Sequence, residues 1–229
     1  MVDERFSRAT RVIGEDKMRS IQKSSVIVFG LGGVGGAAAE SLVRAGVGTI
    51  GIVDKDVVDI TNINRQIIAT DETVGIKKTQ VAKDRLLSIN PNLKVDVYDM
   101  FYLPENADEI DLSQYDFVVD CIDNVTAKLE LVVRAQKAGV PVISSMGTGN
   151  KLHPEMLEIA DIKKTSVCPL ARVMRRELKK RGVEKLTVVY SKEEPVKTDS
   201  SVPGSMSFTP PVAGHLISSY VIRTIADIK

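Results

Sequence analysis

The chain of 229 residues contains no tryptophan, and its five tyrosines and five phenylalanines bring the aromatic content to only 4%. Stacking of nucleic-acid bases on aromatic platforms is therefore excluded as a main mode of binding. There are two cysteines and two histidines. Cys121 and Cys168 stand too far apart for a CxxC knuckle, which argues against a structural zinc and against a disulfide scaffold. An excess of one charge is missing as well: 31 Lys and Arg face 30 Asp and Glu, a net of +1. That balance excludes an indiscriminate basic nucleic-acid binder and leaves only local basic patches. With 43% hydrophobic residues the composition is that of a folded chain, long enough for one large domain or a domain with an appendage.

Long apolar runs are also scarce. Met1 to Arg11 is charged and polar, unlike the core of a secretory leader. Ser201 to Ile222 lacks Asp, Glu, Lys and Arg, but Pro203, Gly204, Pro210, Pro211, Gly214, His215 and several serines keep it too polar to span a membrane. It reads as a buried loop and helix. No membrane association is expected, and the expected compartment is the cytoplasm.

What is present is an alternation of strand and helix patterns. Ser25 to Gly30 is a short β-branched run, and Gly32 to Gly36 opens an alanine-rich helical segment that stops near Gly46. Strands follow at Thr49–Asp54, Lys94–Tyr98, Phe117–Cys121 and Pro141–Met146, with helices over 77–89 and 125–138 between them. This alternation predicts an α/β, Rossmann-like, doubly wound, mostly parallel sheet. Beyond Gly147 the pattern changes to a strand over 156–162, a basic amphipathic helix over 169–181, a strand over 186–190 and a polar loop over 192–207. A last helix starts at Pro210 or Pro211, because proline loses nothing at the first helical position. Residues 148–229 are thus expected to be a C-terminal extension of one domain.

Gly30, Gly32 and Gly35 satisfy G-x-G-x-x-G, with Gly33 inside the motif, between a strand and a helix. Such a turn lets backbone N–H groups approach phosphates at a helix N-terminus. Asp54 closes the second strand, where a carboxylate can accept hydrogen bonds from ribose hydroxyls. Glycine motif and acid together do not separate a dinucleotide from ATP. Downstream stand Asn62, Arg65, Gln66 and Lys78. A planar guanidinium and a compact ammonium suit the larger charge of a triphosphate, although each residue alone also reads as a solvated surface charge. Asp123 lies just past the fourth strand and can either hold Mg²⁺ or cap the helix that begins near Val125. Asp120, inside the apolar strand, reads as a satisfied structural acid.

Gly30-x-Gly32-Gly33-x-Gly35, the Asp54, Asn62 and Arg65 spacing, Arg65-Gln66, Gly75-x-x-Lys78 and Cys121-x-Asp123-Asn124 resemble the adenylating superfamily of ubiquitin-activating enzymes and bacterial sulfur-carrier activators. Arg5-Phe6-Ser7-Arg8 resembles that family's N-terminal segment. The resemblance implies that Asp54 binds the ATP ribose and that Asn62, Arg65 and Lys78 bind the phosphates. It further implies that Asp123 handles Mg²⁺ and that Arg8 reaches into the ATP site of a partner subunit in a homodimer. Arg65, Lys78 and Asp123 would carry the chemistry. The C-terminal third lacks the paired CxxC of zinc-bearing activators. Instead Asp161-Ile162-x-Lys164-Thr165, Pro169-Leu170-Ala171 and the segment Gly204 to Gly214 look like the tRNA threonylcarbamoyladenosine dehydratase branch. That branch implies adenylation of the carboxylate of a modified adenosine in tRNA, followed by cyclisation with loss of AMP. It leaves a sulfurtransferase or cysteine desulfurase as a further partner to consider, and an activator of a ubiquitin-like or sulfur-carrier protein as the alternative.

Between Lys163 and Lys185 there are nine Lys or Arg against two Glu. On a helix Arg172, Arg175, Arg176 and Lys179 share one face, opposite Leu170, Val173, Met174 and Leu178. Such a stripe suits a tRNA phosphate backbone as well as it suits a merely solvated face. Cys168, just before this helix, invites comparison with a thioester-forming cysteine, but the local sequence follows the dehydratase branch.

Overall fold

In the computed structural model, which describes residues 3–200 and 202–228, Ser25–Phe29 forms the central strand β1. It is flanked in parallel by β2 (Thr49–Val53) and β4 (Phe117–Asp120), with Phe29 level with both Val53 and Asp120. The period of two along β1 feeds two cores. Val26 and Val28 pack with Ile50, Ile52 and Val119 on one face, while Ile27 and Phe29 join Val53 and Val118 on the other. The sheet is completed by β3 (Lys94–Tyr98), β5 (Val142–Ser145), β6 (Leu157–Asp161) and β7 (Thr187–Ser191), in the order β3-β2-β1-β4-β5-β7-β6. The chain runs outward from β1 to β3 and then returns to the other side of β1 as β4. That reversal opens a crevice at the carboxyl ends of β1 and β4.

Helices cover both faces. On the first lie α3 (Gly33–Ala45), α4 (Lys78–Ile89) and α7 (Thr209–Ile225), contributing Leu42, Leu86 and Ile217 to the core. α7 packs along α3, where the Ser218 hydroxyl donates to Ser41 Oγ at 2.7 Å. On the second face, α5 (Val125–Lys137) packs with α6 (Pro169–Lys180) through Leu129, Val132, Met174 and Leu178.

The expected strand and helix alternation is thus found, with ends shifted by a residue or so. β6 departs from the parallel pattern, running antiparallel to β7 at the sheet edge. Two N-terminal helices, α1 (Ser7–Ile13) and α2 (Glu15–Lys23), escaped the sequence reading. Their apolar signal is thin: α1 buries no residue and α2 buries only Met18 and Ile21. The segment read as a buried loop and helix divides in two. α7 buries one side, but Pro203, Met206 and Phe208 before it are exposed.

Asp120 is the structural acid that its place in the strand implied. Its side chain and that of Lys128 on α5 are both fully buried and 2.9 Å apart. Lys128 Nζ also donates to Ile122 O at 3.0 Å and Ser145 O at 2.9 Å, while Asp120 accepts from Ile122 N at 3.1 Å and from the Ser144 hydroxyl. Removing one member strands the other in a low-dielectric core. Lys128→Met is expected to cost about 3–5 kcal/mol of unfolding free energy, and adding Asp120→Leu is expected to restore most of it. Urea titration of the single and double variants checks this; equal losses in both would show that the pairing is energetically idle.

Candidate functional site

The glycine turn is shaped by two backbone collisions that side chains would cause. Gly30 has φ +86°, and a Cβ there would lie 2.7 Å from Cys121 O. A Cβ on Gly35 would lie 1.8 Å from Gly30 O, so this glycine lets α3 pack directly behind the turn. Gly32 is different: the nearest atom to its notional Cβ is Gln66 Nε2 at 4.0 Å. That side of the turn faces a cavity of about 490 Å³ at the carboxyl ends of β1, β2 and β4.

The cavity brings together Gly30, Gly32, Gly33, Asp54, Asn62, Arg65, Lys78 and Asp123, residues spread over more than ninety positions of sequence. Gly35 lies behind the turn rather than in the cavity wall. Asp54 is anchored across the turn, accepting from Leu31 N at 2.6 Å and Asp56 N at 2.8 Å. Asn62 ends a helical turn capped by Asp59, whose carboxyl the Thr61 hydroxyl and amide hold below the ordinary range. Asn62 Oδ1 accepts from Asp59 N at 3.1 Å, so what Asn62 has left for a ligand is its NH₂ group. Arg65 is half-buried, with Nη1 donating to Thr61 O and Asn64 Oδ1.

Two of the ambiguities in the sequence are resolved by contacts. Lys78 is no surface charge: it is 6% exposed, with Nζ 3.2 Å from Asp56 Oδ2. Asp123 is not the cap of α5, because Asn124 Oδ1 takes that role by accepting from Ala127 N at 3.0 Å. The Asp123 side chain lines the cavity instead, exposed. Among the described residues no three His, Cys, Asp or Glu side chains cluster as a metal site. A Mg²⁺ held by Asp123 would therefore rely on ligand phosphates and water for its remaining positions, as hard cations at nucleotide sites do.

Other lining residues lacked a sequence signal. Lys55 Nζ lies 4.0 Å from the centre of the Phe101 ring, and Met100, Phe101 and Tyr102 form an apolar wall. Gln66, which with Arg65 forms part of the family resemblance but was assigned no role by it, lines the cavity as well. So do Val202, Pro203, Gly204 and Ser205 of the polar loop. That loop is tied down: Gly204 N donates to Asn150 Oδ1 at 2.6 Å, Val196 N to Asn150 O at 2.8 Å, and Asn64 Nδ2 to Ser205 O at 2.8 Å. Cys121 also touches the cavity, but burial pushes its thiol pKa far up, which removes it as a nucleophile. Cys168 is buried at the start of α6.

The basic face of α6 needs a correction. Arg172, Arg176 and Lys179 are exposed, but Arg175 turns inward and its Nη1 donates to Ile162 O, Thr165 O and Thr165 Oγ1. It anchors the segment before α6 rather than joining the exposed stripe. Arg8 lies exposed on α1 and does not line the cavity of its own chain.

Fold and cavity together define a nucleotide-binding protein of the doubly wound α/β class, with a cationic set sized for a polyphosphate. The chain belongs to the ThiF family, whose sequence profile it matches over residues 6–229. It is 39% identical to the tRNA threonylcarbamoyladenosine dehydratase of Bacillus subtilis, over 96% of this chain and 94% of that protein. Its structure superposes on that of the Escherichia coli tRNA N6-threonylcarbamoyladenosine dehydratase TcdA in complex with AMP with a TM-score of 0.94, at 31% identity, covering 99% of this chain and 97% of the other; the ATP complex of TcdA gives 0.91. The adenylyltransferase and sulfurtransferase uba4 of Ogataea parapolymorpha is 39% identical, but over 65% of this chain and 37% of that protein.

The contacts at the turn separate its glycines by function. Gly35→Ala is expected to destabilise the fold by about 3 kcal/mol, lowering Tm by about 6–12 °C. Gly32→Ala is expected to leave Tm within about 2 °C while weakening ATP binding about tenfold or more. Calorimetric unfolding and ATP titration of both variants check the division; equal thermal losses would contradict it.

Proposed function

We propose that this chain catalyses the ATP-dependent cyclising dehydration of threonylcarbamoyladenosine in tRNA through an acyl-adenylate. The observation that carries the reading is the single cavity that unites the glycine turn with Asp54, Asn62, Arg65, Lys78 and Asp123, in a chain that aligns almost end to end with a dehydratase of that name. The sulfur-carrier activators share only part of this chain, and the C-terminal region that supplies residues 202–205 to the cavity belongs to the longer match.

In this reading residues 1–229 act as one adenylating unit. Asp54 keeps lone pairs for the ribose hydroxyls beyond its two backbone contacts. The turn amides, Asn62 NH₂, Arg65 and Lys78 hold the phosphates, and Asp123 holds Mg²⁺, which neutralises phosphate charge when bound. The substrate carboxylate oxygen bonds to the α-phosphorus as the bond from that phosphorus to the bridging oxygen breaks, and pyrophosphate leaves with the electron pair, its charge offset by the cationic set. The carbamoyl nitrogen then attacks the acyl carbon, its proton passes to solvent, and AMP leaves as the ring closes. No protein nucleophile is needed, in keeping with the raised Cys121 pKa.

For RNA, the exposed Arg172, Arg176 and Lys179 provide the phosphate contacts, Arg176 sharing its charge with Glu177 at 3.0 Å. Arg172 also lines an open groove of about 690 Å³ with Lys197. Asn150, which hydrogen-bonds to Gly204 of the ATP cavity, stands between groove and cavity. This reading places the reaction in the cytoplasm; among the described residues no helix is long and apolar enough to cross a membrane.

Pyrophosphate release is expected with threonylcarbamoylated tRNA and neither with a sulfur-carrier protein nor with ATP alone. Asp123→Ala is expected to reduce that release at least about a hundredfold in a folded protein. Arg172→Glu with Lys179→Glu is expected to raise the KM for tRNA, flatten its logarithmic salt dependence by about 1.4, and leave ATP affinity unchanged. Release driven by a sulfur-carrier protein would replace this reading with the activator.

The exposed Arg8, lying outside its own cavity, supports a homodimer in which it completes the partner subunit's site. Mixing inactive Arg8→Ala and Asp123→Ala proteins under exchange conditions is expected to restore about a quarter of wild-type activity, because half the dimers then hold one intact site. No recovery would rule out the action of Arg8 in a partner subunit's site.

A further inference from the structure

The polar loop between β7 and α7 hangs from one residue at both of its feet. At the first, Val196 N donates to Asn150 O at 2.8 Å; at the second, Gly204 is gripped twice, its N–H donating to Asn150 Oδ1 at 2.6 Å and its carbonyl accepting from Asn150 N at 2.8 Å. Between the feet, the hydrogen bonds of the described residues stay inside the loop, from Thr198 Oγ1 to Ser200 O and from Val202 N to Ser200 Oγ. Asn150 itself stands on firm ground. The next residue, Lys151, is buried, donates through Nζ to Glu193 O and accepts at its carbonyl from the Thr209 hydroxyl at 3.1 Å. The buried Glu193 carboxylate accepts from Leu152 N at 2.8 Å and His153 N at 3.0 Å. Asn150 has φ +57°, a left-handed conformation that asparagine tolerates better than most residues with a side chain. Glycine would meet that backbone demand but could not hold Gly204 by its N–H.

The clasp stands between two depressions. Gly149, Pro203 and Gly204 line the ATP cavity, whereas Asn150, Arg172 and Lys197 line the open groove. With ATP in the first and RNA along the second, a carboxylate carried by the RNA has to pass this clasp to reach the α-phosphorus. We propose that Asn150 is a positioning residue for the adenylation step: its side chain fixes the wall shared by groove and cavity, and so sets how the RNA-borne carboxylate approaches ATP. The inference rests on the dehydratase reading of the site. Binding of either reactant does not depend on the clasp, because Asp54, Arg65 and Lys78 on one side and Arg172, Arg176 and Lys179 on the other are carried by different segments. Their mutual alignment does depend on it. A misplacement of about 1 Å between reacting groups is enough to cost about a hundredfold in rate.

The test compares Asn150→Gly with Asn150→Asp in the full chain. The first keeps the left-handed backbone and deletes the acceptor; the second keeps both. Pyrophosphate release is measured against threonylcarbamoylated tRNA, with ATP affinity taken by calorimetry and tRNA affinity by filter binding. Asn150→Gly is expected to fold with a Tm within about 4 °C of wild type, to bind ATP and tRNA within about twofold, and to lose about tenfold or more in kcat. Asn150→Asp is expected to recover kcat to within about threefold of wild type, its added charge appearing instead as a raised, salt-sensitive KM for tRNA. Unchanged kcat in Asn150→Gly would overturn the proposal. So would an equal kcat loss in both variants, or a loss in Asn150→Gly matched by lost affinity for ATP and tRNA, which is the mark of a merely structural side chain. Wild-type protein that releases no pyrophosphate with this tRNA would overturn the dehydratase reading, and this proposal with it, before any variant is compared.

Discussion

The buried contact between Asp120 and Lys128 is the joint on which the site depends. Both side chains are wholly removed from water, so each is tolerable only because the other is 2.9 Å away and because backbone groups fill the remaining valences. The groups they engage are the ends of the two strands beside the cavity. Ile122 O and N lead into Asp123, and Ser145 O ends β5 just before Thr148 and Gly149, which also line the cavity. One ammonium thus fixes two loops to a single helix. Loops with no regular hydrogen bonding of their own acquire in this way the rigidity that an oriented carboxylate requires.

Around that joint the cavity is built by dividing donors from acceptors. The floor is backbone, brought close by glycines at positions 30 and 35 where a side chain would collide. Part of the lining is cationic, with Lys78 buried and Arg65 half-buried, and the exposed Asp123 lines the same cavity. Asn124 takes over the helix cap, so the carboxylate next to it has no structural duty. The loop ending at Ser205 closes the remaining side, held by Asn150 and Asn64 rather than by apolar burial. Hydrogen bonds of this kind hold a wall in place while leaving its surface polar, which suits a site that must admit both a nucleotide and a large polar substrate.

The adenylating core was legible because its signals are local. A β-branched run followed by three spaced glycines and an alanine-rich stretch allows few other readings, and Asp54 follows at a strand end that periodicity locates. The helices before residue 25 went unread because they are short and largely polar, with only Met18 and Ile21 buried between them. Nothing in the sequence singled out Lys128, and Arg175 read as a member of an exposed stripe, because periodicity gives the direction of a side chain but not what comes to meet it. Both turned out to bond backbone carbonyls contributed by distant segments, Ser145 in one case and Ile162 in the other.

What the sequence by itself determined is therefore the order of the elements, the phosphate-binding turn and the identity of the charged groups along the chain, because steric limits on the backbone and side-chain periodicity act over a few residues. Which charges lie in water and which in the site was decided only by tertiary structure. Lys78 and Asp123 were each ambiguous until Asp56 and Asn124 were seen beside them. Desolvation is a property of the surroundings, set by segments that the sequence keeps far apart, and it is desolvation that turns a common polar residue into a functional one.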